Sequence, residues 1–422
     1  MKLKKMTTEK LCVFVLLYCN FLKVFLGSWA PLVSDFLLVF LLFKLFLEKT
    51  NAKIGFSLLF LLLLIFLALF SVINPNIYNK LYALIEFRKT FFQFFWLIIG
   101  ICFNKSSNKT SRDDFLKYVQ IISLPIILYG IKQSIWFDSF DKLFYELQDA
   151  DSYTYIFHGS IRSISVFSGP FHFGFFCNLI LIISLYNFSA FKGKVTFLVF
   201  SLFAFWGIIS SQTRTNLICS ILIIWVFIWY IIDKSYKNFS DRFSIKIFFM
   251  CMSMVLIPFI FLAQPKSDNL LSSIIHFSED NRFLGRISTW QDGLNLIKDN
   301  LLLGYGIGSA GDTMGQHTIG RVFLTPHNMF LKVAIELGFL GFTIFVGLLA
   351  YIFVRCYRLR DKKSRYLCLS LLLIIIVQGL VGSTLATFPI MSIIFILIGR
   401  TISCEKKSSQ EMIYGKRSES LS

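Results

Sequence analysis

The chain has 422 residues, of which 56% are hydrophobic and 16% are charged, and its formal net charge is +18. This composition excludes an ordinary soluble domain, because apolar stretches of about 20 residues match the hydrocarbon thickness of a bilayer. The positive charge does not indicate nucleic-acid binding, because Lys and Arg collect in the cytoplasmic loops of membrane proteins.

Apolar windows predict about twelve membrane spans. They lie at about 10–27, 30–47, 54–74, 87–103, 115–134, 171–190, 194–211, 216–232, 245–264, 337–355, 366–383 and 387–401. With a cytoplasmic N-terminus, most of the 42 Lys and Arg fall in cytoplasmic loops and in the tail at 402–422, as the positive-inside rule requires. The sequence therefore predicts an all-α polytopic integral membrane protein, a single membrane domain over 1–422 with both termini cytoplasmic.

Two long connections are predicted on the outer side, at 135–170 and, between spans 9 and 10, at 265–336. Long loops in a compact protein are usually functional, and all five histidines lie in or beside these two. The second is predicted to be largely helical and to carry the catalytic motifs.

No metal site is predicted. The nine cysteines show no CxxC spacing typical of zinc ligands, and none lies in an outer loop, so no disulfide is expected. The acidic pair Asp149 and Asp151 suits Mg²⁺ in principle, but its polar surroundings favour a solvated loop tip.

The first long connection ends with the sequence RSISVFSGPFHFG, from Arg162 to Gly174. A basic residue, a Gly-Pro turn and a glycine-containing helix start are typical of a loop that enters the membrane; an ordinary solvated loop is the alternative. Arg88 and Lys89, at the outer start of the fourth span, add positive charge on the same side.

A short polar turn, SSQTRTN at 210–216, separates two apolar spans. Arg214 lies in it, and a charge so close to hydrocarbon is costly and usually functional. Structural pairing of Arg214 is the alternative interpretation.

The segment GRISTW places Arg286 and Trp290 four residues apart, on one face of a predicted amphipathic helix. Trp suits a membrane interface. Arg286 either pairs with Glu279 or Asp280, or holds a phosphate through its bidentate guanidinium.

The stretch GYGIGSAG, at 304–311, contains a match to the dinucleotide-binding pattern G-x-G-x-x-G. A nucleotide loop requires a preceding strand and a cytosolic nucleotide supply, and neither is predicted on the outer face. The match is therefore interpreted as accidental. Gly304, Gly306 and Gly308 are expected to turn the backbone tightly between Arg286 and His327, and Gly338 to loosen a helix or permit close packing.

The stretch TPHN precedes an apolar run. Thr325 suits an N-cap and Pro326 the first helical position, which predicts His327 in the first turn of a helix, neutral near pH 7 and able to accept a proton. That helix end also attracts anions. Asn328 adds a donor and an acceptor, whereas Glu336 is expected on the opposite side of the helix from His327. The alternative is a helix-capping histidine at the membrane interface.

These motifs, in this order and topology, resemble the O-antigen polymerase and O-antigen ligase superfamily of bacterial envelopes. The matching features are Arg286-x-x-x-Trp290, the Gly-x-Gly-x-Gly loop, the HN…E-x-G-x-x-G stretch that begins at His327, and the Gln-Thr-Arg turn at Arg214. The resemblance implies a GT-C-type glycosyltransferase of the bacterial inner membrane that needs no metal or other cofactor.

The resemblance also implies roles for individual residues. Arg214 and Arg286 are expected to grip the diphosphate of the donor, and His327 to deprotonate or orient the acceptor hydroxyl. The remaining substrate-binding candidates are Arg162, Arg88, Trp290, Asn328 and His317.

The implied substrates are glycans linked to undecaprenyl diphosphate, as both donor and acceptor, at the periplasmic face. Membrane lipid and a chain-length regulator protein are the further partners expected. A polymerase extends another lipid-linked repeat unit, whereas a ligase transfers the glycan to lipid A–core. The FSGPFHFG stretch, the glycine-rich loop and the HNMFLKVAIELGFLG stretch are closer to polymerases, and a flippase for the same lipids is the more distant alternative.

Overall fold

The computed structural model describes residues 7–47, 56–103, 109–148, 156–157, 160–190, 195–236, 238, 240–249, 281–311 and 326–403. Almost all regular structure in these ranges is helical. The helices are α1 Thr8–Tyr18, α2 Lys23–Leu26, α3 Ala30–Leu47, α4 Phe56–Phe70, α5 Lys80–Phe91, α6 Phe95–Cys102, α7 Lys109–Ile135, α8 Ser139–Leu147, α9 Pro170–Ala190, α10 Val195–Ser210, α11 Arg214–Ser235, α12 240–249, α13 Asn281–Asp299, α14 Met329–Tyr357, α15 Lys362–Gly379 and α16 Ile390–Ser403.

Two short strands interrupt this pattern. Strand β1, Ile156–Phe157, pairs antiparallel with β2, Ser160–Ile161. Short 3₁₀ turns cover Gly27–Trp29, Ser71–Ile73, Phe92–Phe94 and Thr384–Ala386.

Five described helices are long and apolar enough to cross a membrane: α3, Arg112–Ile135 of α7, Pro170–Ser189 of α9, α11 and α14. Leu59–Ile73, Val195–Ser210 and Ile390–Ser403 are shorter apolar helices. The prediction of an all-helical polytopic membrane protein is confirmed at this level, whereas the twelve spans and the GT-C-type fold stay predictions.

Several predicted spans are not single α-helices; in the window at 54–74, for example, α4 is followed by the 3₁₀ turn Ser71–Ile73. The window at 10–27 contains α1, α2 and a 3₁₀ turn, and the window at 87–103 contains the end of α5, a 3₁₀ turn and α6. Hydropathy reports how apolar a stretch is, but it does not report where the backbone hydrogen-bond ladder is interrupted.

The chain divides into two compact units, one formed by residues 1–122 and 286–422 and the other by residues 123–285. We call them unit one and unit two and describe each by itself. The single-domain organisation expected from the sequence stays a prediction.

Unit one is built around α16, whose residues from Ile390 to Ile398 are nearly all inaccessible to solvent. Helix α6 crosses it at backbone contact, because a Cβ on Gly100 would lie 2.5 Å from the Ile396 carbonyl oxygen. A Cβ on Gly399 would lie 2.5 Å from the carbonyl oxygen of Leu97. Only glycine allows this approach from either side.

Unit two is built around α9, which is 78% buried over its candidate span. It packs between α10 and α11. The start of α9 is tightly enclosed, because a Cβ on Gly174 would lie 2.1 Å from the Asn216 side-chain nitrogen of α11. The RSISVFSGPFHFG segment leads directly into this helix, as its sequence predicted.

Candidate functional site

The glycine-rich stretch of unit one docks onto a break in α14. Gly338 has φ +64° and ψ −168°, so the helix stops and restarts there. Phe339 consequently donates its backbone N–H to Leu301 (2.7 Å), and Leu340 donates to Leu302 (3.4 Å). The partners missing at the helix break are thus supplied by the preceding segment of chain.

The carbonyl groups at the break are bonded to the same segment. Ile335 accepts from the backbone N–H of Tyr305 (2.9 Å), and Glu336 accepts from that of Gly306 (3.0 Å). Donors and acceptors on both sides are therefore satisfied, and the loop and the broken helix form one hydrogen-bonded unit.

Gly304, Gly306 and Gly308 all have positive φ, between 65° and 94°. A Cβ on Gly304 would lie 2.5 Å from the Ile335 carbonyl oxygen, so glycine is required for close approach to α14 as well as for the turn. Sequence reasoning expected tight turning here, but it did not show that the backbone being approached is that of α14.

Three buried charged side chains lie beside this loop. Glu336 is inaccessible to solvent; its Oε1 accepts from the Gly308 N–H (3.1 Å) and lies 3.7 Å from the Lys332 ammonium nitrogen. Lys332 also donates to Glu86 of α5, which accepts from Thr90 (3.2 Å). One ammonium thus joins two carboxylates and ties α5 to α14 and the loop.

The two carboxylates have different surroundings. Burial alone would raise the pKa of Glu86, but the Lys332 ammonium outweighs it and lowers that pKa below its usual value. The Oε2 atom of Glu336 is buried and has no hydrogen-bond partner among the described residues. Sequence reasoning missed this cluster, although a Lys and a Glu four residues apart at the start of an apolar run were a visible signal.

The start of α14 differs from the sequence prediction. The helix begins at Met329, and Asn328 is the N-cap, with its side-chain oxygen accepting from the backbone N–H groups of Phe330 (2.9 Å) and Leu331 (3.1 Å). The placement of His327 in the first helical turn, with Pro326 as the first helical residue, is therefore wrong. Asn is among the best N-cap residues, and it uses two of the amides that an anion would otherwise find at this helix end.

His327 lies just outside the helix, with an exposed side chain and φ +44°. A left-handed conformation in a residue other than glycine costs on the order of 1–3 kcal/mol and is found preferentially at functional sites. The imidazole is thus held at the surface by a strained backbone. The N-cap residue Asn328, which follows directly, anchors that backbone to the start of α14.

Helix α13 brings the segment from Arg286 to Trp290 to the start of α14, where His327 lies. The indole N–H of Trp290 donates to the carbonyl oxygen of Pro326 (2.7 Å), immediately before His327. Arg286 lies one turn earlier on the same face of α13. A Cβ on Gly293 would lie 2.8 Å from the Leu331 side chain, so α13 crosses closely over the first turns of α14.

An open groove of about 400 Å³ lies where α13 crosses α14. Its lining is almost wholly apolar. The residues that line it are Trp290, Leu294, Ile297, Asn328, Phe330, Leu331, Ala334, Phe339 and Phe342. It presents an apolar surface next to the exposed imidazole of His327.

Arg88, another expected substrate-binding residue of unit one, forms an ion pair with Asp35 of α3. Both side chains are about a quarter exposed, at 28% and 22%. Part of the positive charge expected at this position is therefore balanced within the protein.

Unit two brings the Arg162 and Arg214 motifs together. Ser163 donates its backbone N–H to Ser210 (3.0 Å), and the Arg162 Nε donates to the carbonyl oxygen of Ser211 (3.4 Å). Gln212 donates in return to the Ile161 carbonyl oxygen (3.4 Å). Two segments 50 residues apart in sequence thus form one surface, which no local pattern could have shown.

Arg214 is the first residue of α11. A cation is unfavourable at a helix N-terminus, which attracts negative charge. Asn216 is buried, donates to the Phe171 carbonyl oxygen (3.1 Å), and accepts from Asn178 at its own carbonyl oxygen (3.0 Å). The hydrogen bonds of Asn216 therefore fix the buried side of the turn. An anion at the surface of the turn would interact favourably with both the Arg214 guanidinium and the N-terminus of α11.

Several predicted features lie outside the described residues. They are His317, Thr325, the pairing partners Glu279 and Asp280 proposed for Arg286, and the Asp149–Asp151 pair. Within the described ranges, no group of three His, Cys, Asp or Glu side chains is placed to hold a metal ion.

Residues 199–346 match the family model described as O-antigen ligase. The matched region contains Arg214, Arg286 and His327, and thus the motifs that suggested the resemblance in the sequence. The resemblance is confirmed by this match. A comparison with curated proteins gives no match.

Proposed function

We propose that this chain, which matches the family model described as O-antigen ligase over residues 199–346 and has helices long and apolar enough to cross a membrane, polymerises a surface glycan. The donor is a glycan on undecaprenyl diphosphate, and the acceptor is a hydroxyl of another undecaprenyl-linked repeat unit at the periplasmic face of the inner membrane. The observation that carries this proposal is the match over 199–346, which includes an exposed, strained His327 beside an apolar groove.

His327 is proposed to act on the acceptor. Its exposed imidazole takes the proton of the acceptor hydroxyl, or orients that hydroxyl, as the oxygen attacks the anomeric carbon of the donor. The bond from that carbon to the diphosphate oxygen breaks, and its electron pair leaves with the diphosphate. The neutral imidazole is the form that accepts the proton in this step.

The arginines are proposed to act on the leaving group. Negative charge builds up on the diphosphate as the bond breaks, and fixed guanidinium groups stabilise it without reorganising. Arg214 suits this role because the N-terminus of α11 adds to its attraction for an anion. Arg286 supplies the corresponding charge beside His327, and Arg162 is held against the Arg214 turn.

The groove beside Trp290 is proposed to receive the isoprenoid part of a lipid-linked substrate. Its lining is almost wholly apolar and it is open to its surroundings, as a long hydrocarbon chain that remains partly in the bilayer requires. A free sugar would find almost no hydrogen-bond partners there.

The ligase is the second candidate, because both activities use the same donor chemistry and members of the family include both kinds of enzyme. The flippase is less well supported. Such a protein would need charged residues within its spans, and Lys332 and Glu336 do lie in α14, but they bond to each other, to Glu86 and to the glycine-rich loop.

The test with the greatest discrimination is deletion of the gene followed by glycan profiling. A core capped with one repeat unit identifies a polymerase, a complete chain left on undecaprenyl diphosphate identifies a ligase, and repeat units stranded on the cytoplasmic side identify a flippase. The expected result is the first. Either of the others would refute the proposal.

Catalysis by His327 is tested separately with purified protein in liposomes that contain lipid-linked repeat units. His327→Ala should lower kcat by about 10²–10⁴-fold, the usual effect of removing a general base. The exposed Lys298→Ala on α13 is the control and should leave the rate unchanged. Long glycan formed by His327→Ala at the normal rate would remove the histidine from the mechanism.

A further inference from the structure

Helix α8 of unit two has three distinct faces. One faces the protein: Asp141, Phe144 and Tyr145 are at most 1% exposed. Phe144 packs edge-on against the ring of Tyr129, with ring centroids 6.0 Å apart, and Tyr145 donates its hydroxyl to the carbonyl oxygen of Arg162 (2.7 Å). This face fixes α8 to the rest of the unit.

The second face is apolar and exposed. Phe140, Leu143 and Leu147 are 45%, 49% and 37% accessible, and their spacing of three and four residues places them within about 60° of one another on the helix. Trp136, just before the helix, is 71% accessible. Exposure of such an apolar row to water is unfavourable, in proportion to the apolar area exposed.

The third face is polar and exposed. Lys142 and Glu146 are four residues apart and lie about 60–100° around the helix from Leu143. The apolar row is therefore bordered by protein on one side and by charged groups on the other. A helix lying in the plane of a membrane interface has this arrangement, with its apolar side toward the acyl chains and its charges among the headgroups.

The position of α8 in the chain also indicates that the helix lies at the membrane interface. The candidate span in α7 ends at Ile135, and α8 starts at Ser139, so the link can extend no further than about 14 Å. Lys132, in the last turn of α7, forms an ion pair with Asp138 (2.6 Å) and another with Asp141. The hydrogen bond from Lys132 lowers the pKa of Asp138 to about 2, so this pair stays ionised at physiological pH.

We propose that α8 binds the lipid surface at the Ile135 end of α7, with Phe140, Leu143 and Leu147 in the upper acyl-chain region. The partner is the bilayer itself, because the apolar row directly continues from a membrane-crossing helix and is tied to its last turn. A further consequence, which rests on the proposed function, follows from the Tyr145 hydrogen bond to Arg162. Helix α8 holds Arg162 at the depth where the diphosphate of a lipid-linked substrate lies, which makes α8 a positioning element.

The lipid contact is tested by photocrosslinking of the full-length protein in nanodiscs of phosphatidylethanolamine and phosphatidylglycerol. p-Benzoylphenylalanine is introduced at Phe140, where the change of shape is small, at Leu143, and at Lys142 as the control on the polar face. Irradiation should give phospholipid adducts by mass spectrometry at Phe140 and Leu143, at least several-fold more than at Lys142. Adducts to protein at the two apolar positions, or equal lipid adducts at all three, would overturn the proposal.

The positioning role is tested with two variants that change the charge equally. Leu143→Glu should raise the KM for the lipid-linked substrate several-fold with little change in kcat, whereas Ser139→Glu, on the exposed polar side, should leave both unchanged. Equal kinetics for the two variants would exclude the positioning role even if the lipid adducts form. If the unaltered protein transfers no glycan, the proposed function fails, and the crosslinking result still decides whether α8 contacts lipid.

Discussion

Gly338 and Gly285 both lie inside helical segments, but they differ in backbone conformation and in the space around them. Gly338 adopts φ +64°, and an added Cβ would lie 2.4 Å from the Leu302 carbonyl oxygen. Around Gly285, in α13, no atom of the described residues lies within 4 Å of such a Cβ. Substituting each glycine by alanine therefore distinguishes two effects. One is the need for glycine at the break in α14, and the other is the general effect of a glycine on helix stability.

We expect Gly338→Ala to destabilise the protein by at least about 1–3 kcal/mol, the cost of holding a residue with a Cβ in a backbone conformation that is essentially restricted to glycine, before any clash with Leu302 is included. Gly285→Ala should be neutral or stabilising by up to about 1 kcal/mol, because alanine favours helix. Thermal unfolding in detergent measures both. A smaller effect for Gly338→Ala than for Gly285→Ala would contradict the requirement for glycine at the break.

The charge on Lys332 makes a second prediction at this scale. Lys332→Met leaves the carboxylates of Glu86 and Glu336 buried without their shared cation, which should destabilise the protein by about 3–5 kcal/mol. Lys298→Met, at an exposed position of α13, is the matched control and should have no measurable effect. Adding Glu86→Gln to Lys332→Met should recover part of the loss, because one buried charge is removed.

Unfolding midpoints of these variants in one detergent check the prediction. If Lys332→Met unfolds at the same temperature as Lys298→Met, the cluster does not hold α5 to α14. If Glu86→Gln gives no recovery, the unpaired buried charge of Glu86 is not the reason for the loss.

At the scale of the element, the contact between α13 and the start of α14 depends on one hydrogen bond and on close packing. Trp290→Phe removes the indole N–H that donates to Pro326 and keeps most of the apolar contact. We expect the free energy of unfolding to fall by about 0.5–1.5 kcal/mol. We also expect kcat to fall by more than this loss of stability would explain, because the backbone next to His327 loses its fixed hydrogen-bond partner.

The matched control is Trp206→Phe, in α10, where the side chain is 49% exposed on an apolar helix. Stability and single-turnover rates with lipid-linked substrate are measured for both variants. Equal rates for Trp290→Phe, Trp206→Phe and the unaltered protein would show that the Pro326 contact is structural only.

Some elements follow closely from hydropathy. The windows at 30–47, 171–190 and 194–211 agree within one residue at each end with α3, α9 and α10, because each is an uninterrupted apolar helix between polar ends. The start of α14 was misplaced, since Thr325-Pro326 and Asn328 are both good start signals and local sequence does not decide between them.

The site was predictable in its residue types but not in its contacts. An arginine beside hydrocarbon or a histidine near a helix start is visible in the sequence. The bonds from the glycine-rich loop to α14, the link between Glu86 and Lys332, and the contact between the Arg162 and Arg214 segments join residues far apart in the chain. Such pairs depend on tertiary packing, on which a single sequence gives no direct information.

At the scale of the whole molecule, the family match includes residues of both units, with Arg214 in unit two and Arg286 in unit one. If the two arginines stabilise the same leaving group, their effects should not be independent. We expect Arg214→Ala and Arg286→Ala each to lower kcat/KM by about 10²-fold or more, and the double variant to lose clearly less than the product of the two.

Such a double-mutant cycle measures the coupling between residues that act as a unit. Strict multiplication of the two losses would indicate that the arginines serve separate steps or separate groups. The matched substitution Arg242→Ala, at a half-buried position of α12 in unit two, controls for the loss of a positive charge and should not couple to Arg286→Ala.

The paired bonds between the glycine-rich loop and the broken helix also fix the length of the loop. Leu301 is matched with Phe339, Tyr305 with Ile335, and Gly306 with Glu336. One residue inserted between Leu303 and Gly304 cannot keep all three pairings, since the residue count between the contacts is set on both segments. Insertions, which surface loops commonly tolerate, are therefore expected to be excluded from 301–308, and any exchange of this loop between related chains has to preserve its residue count.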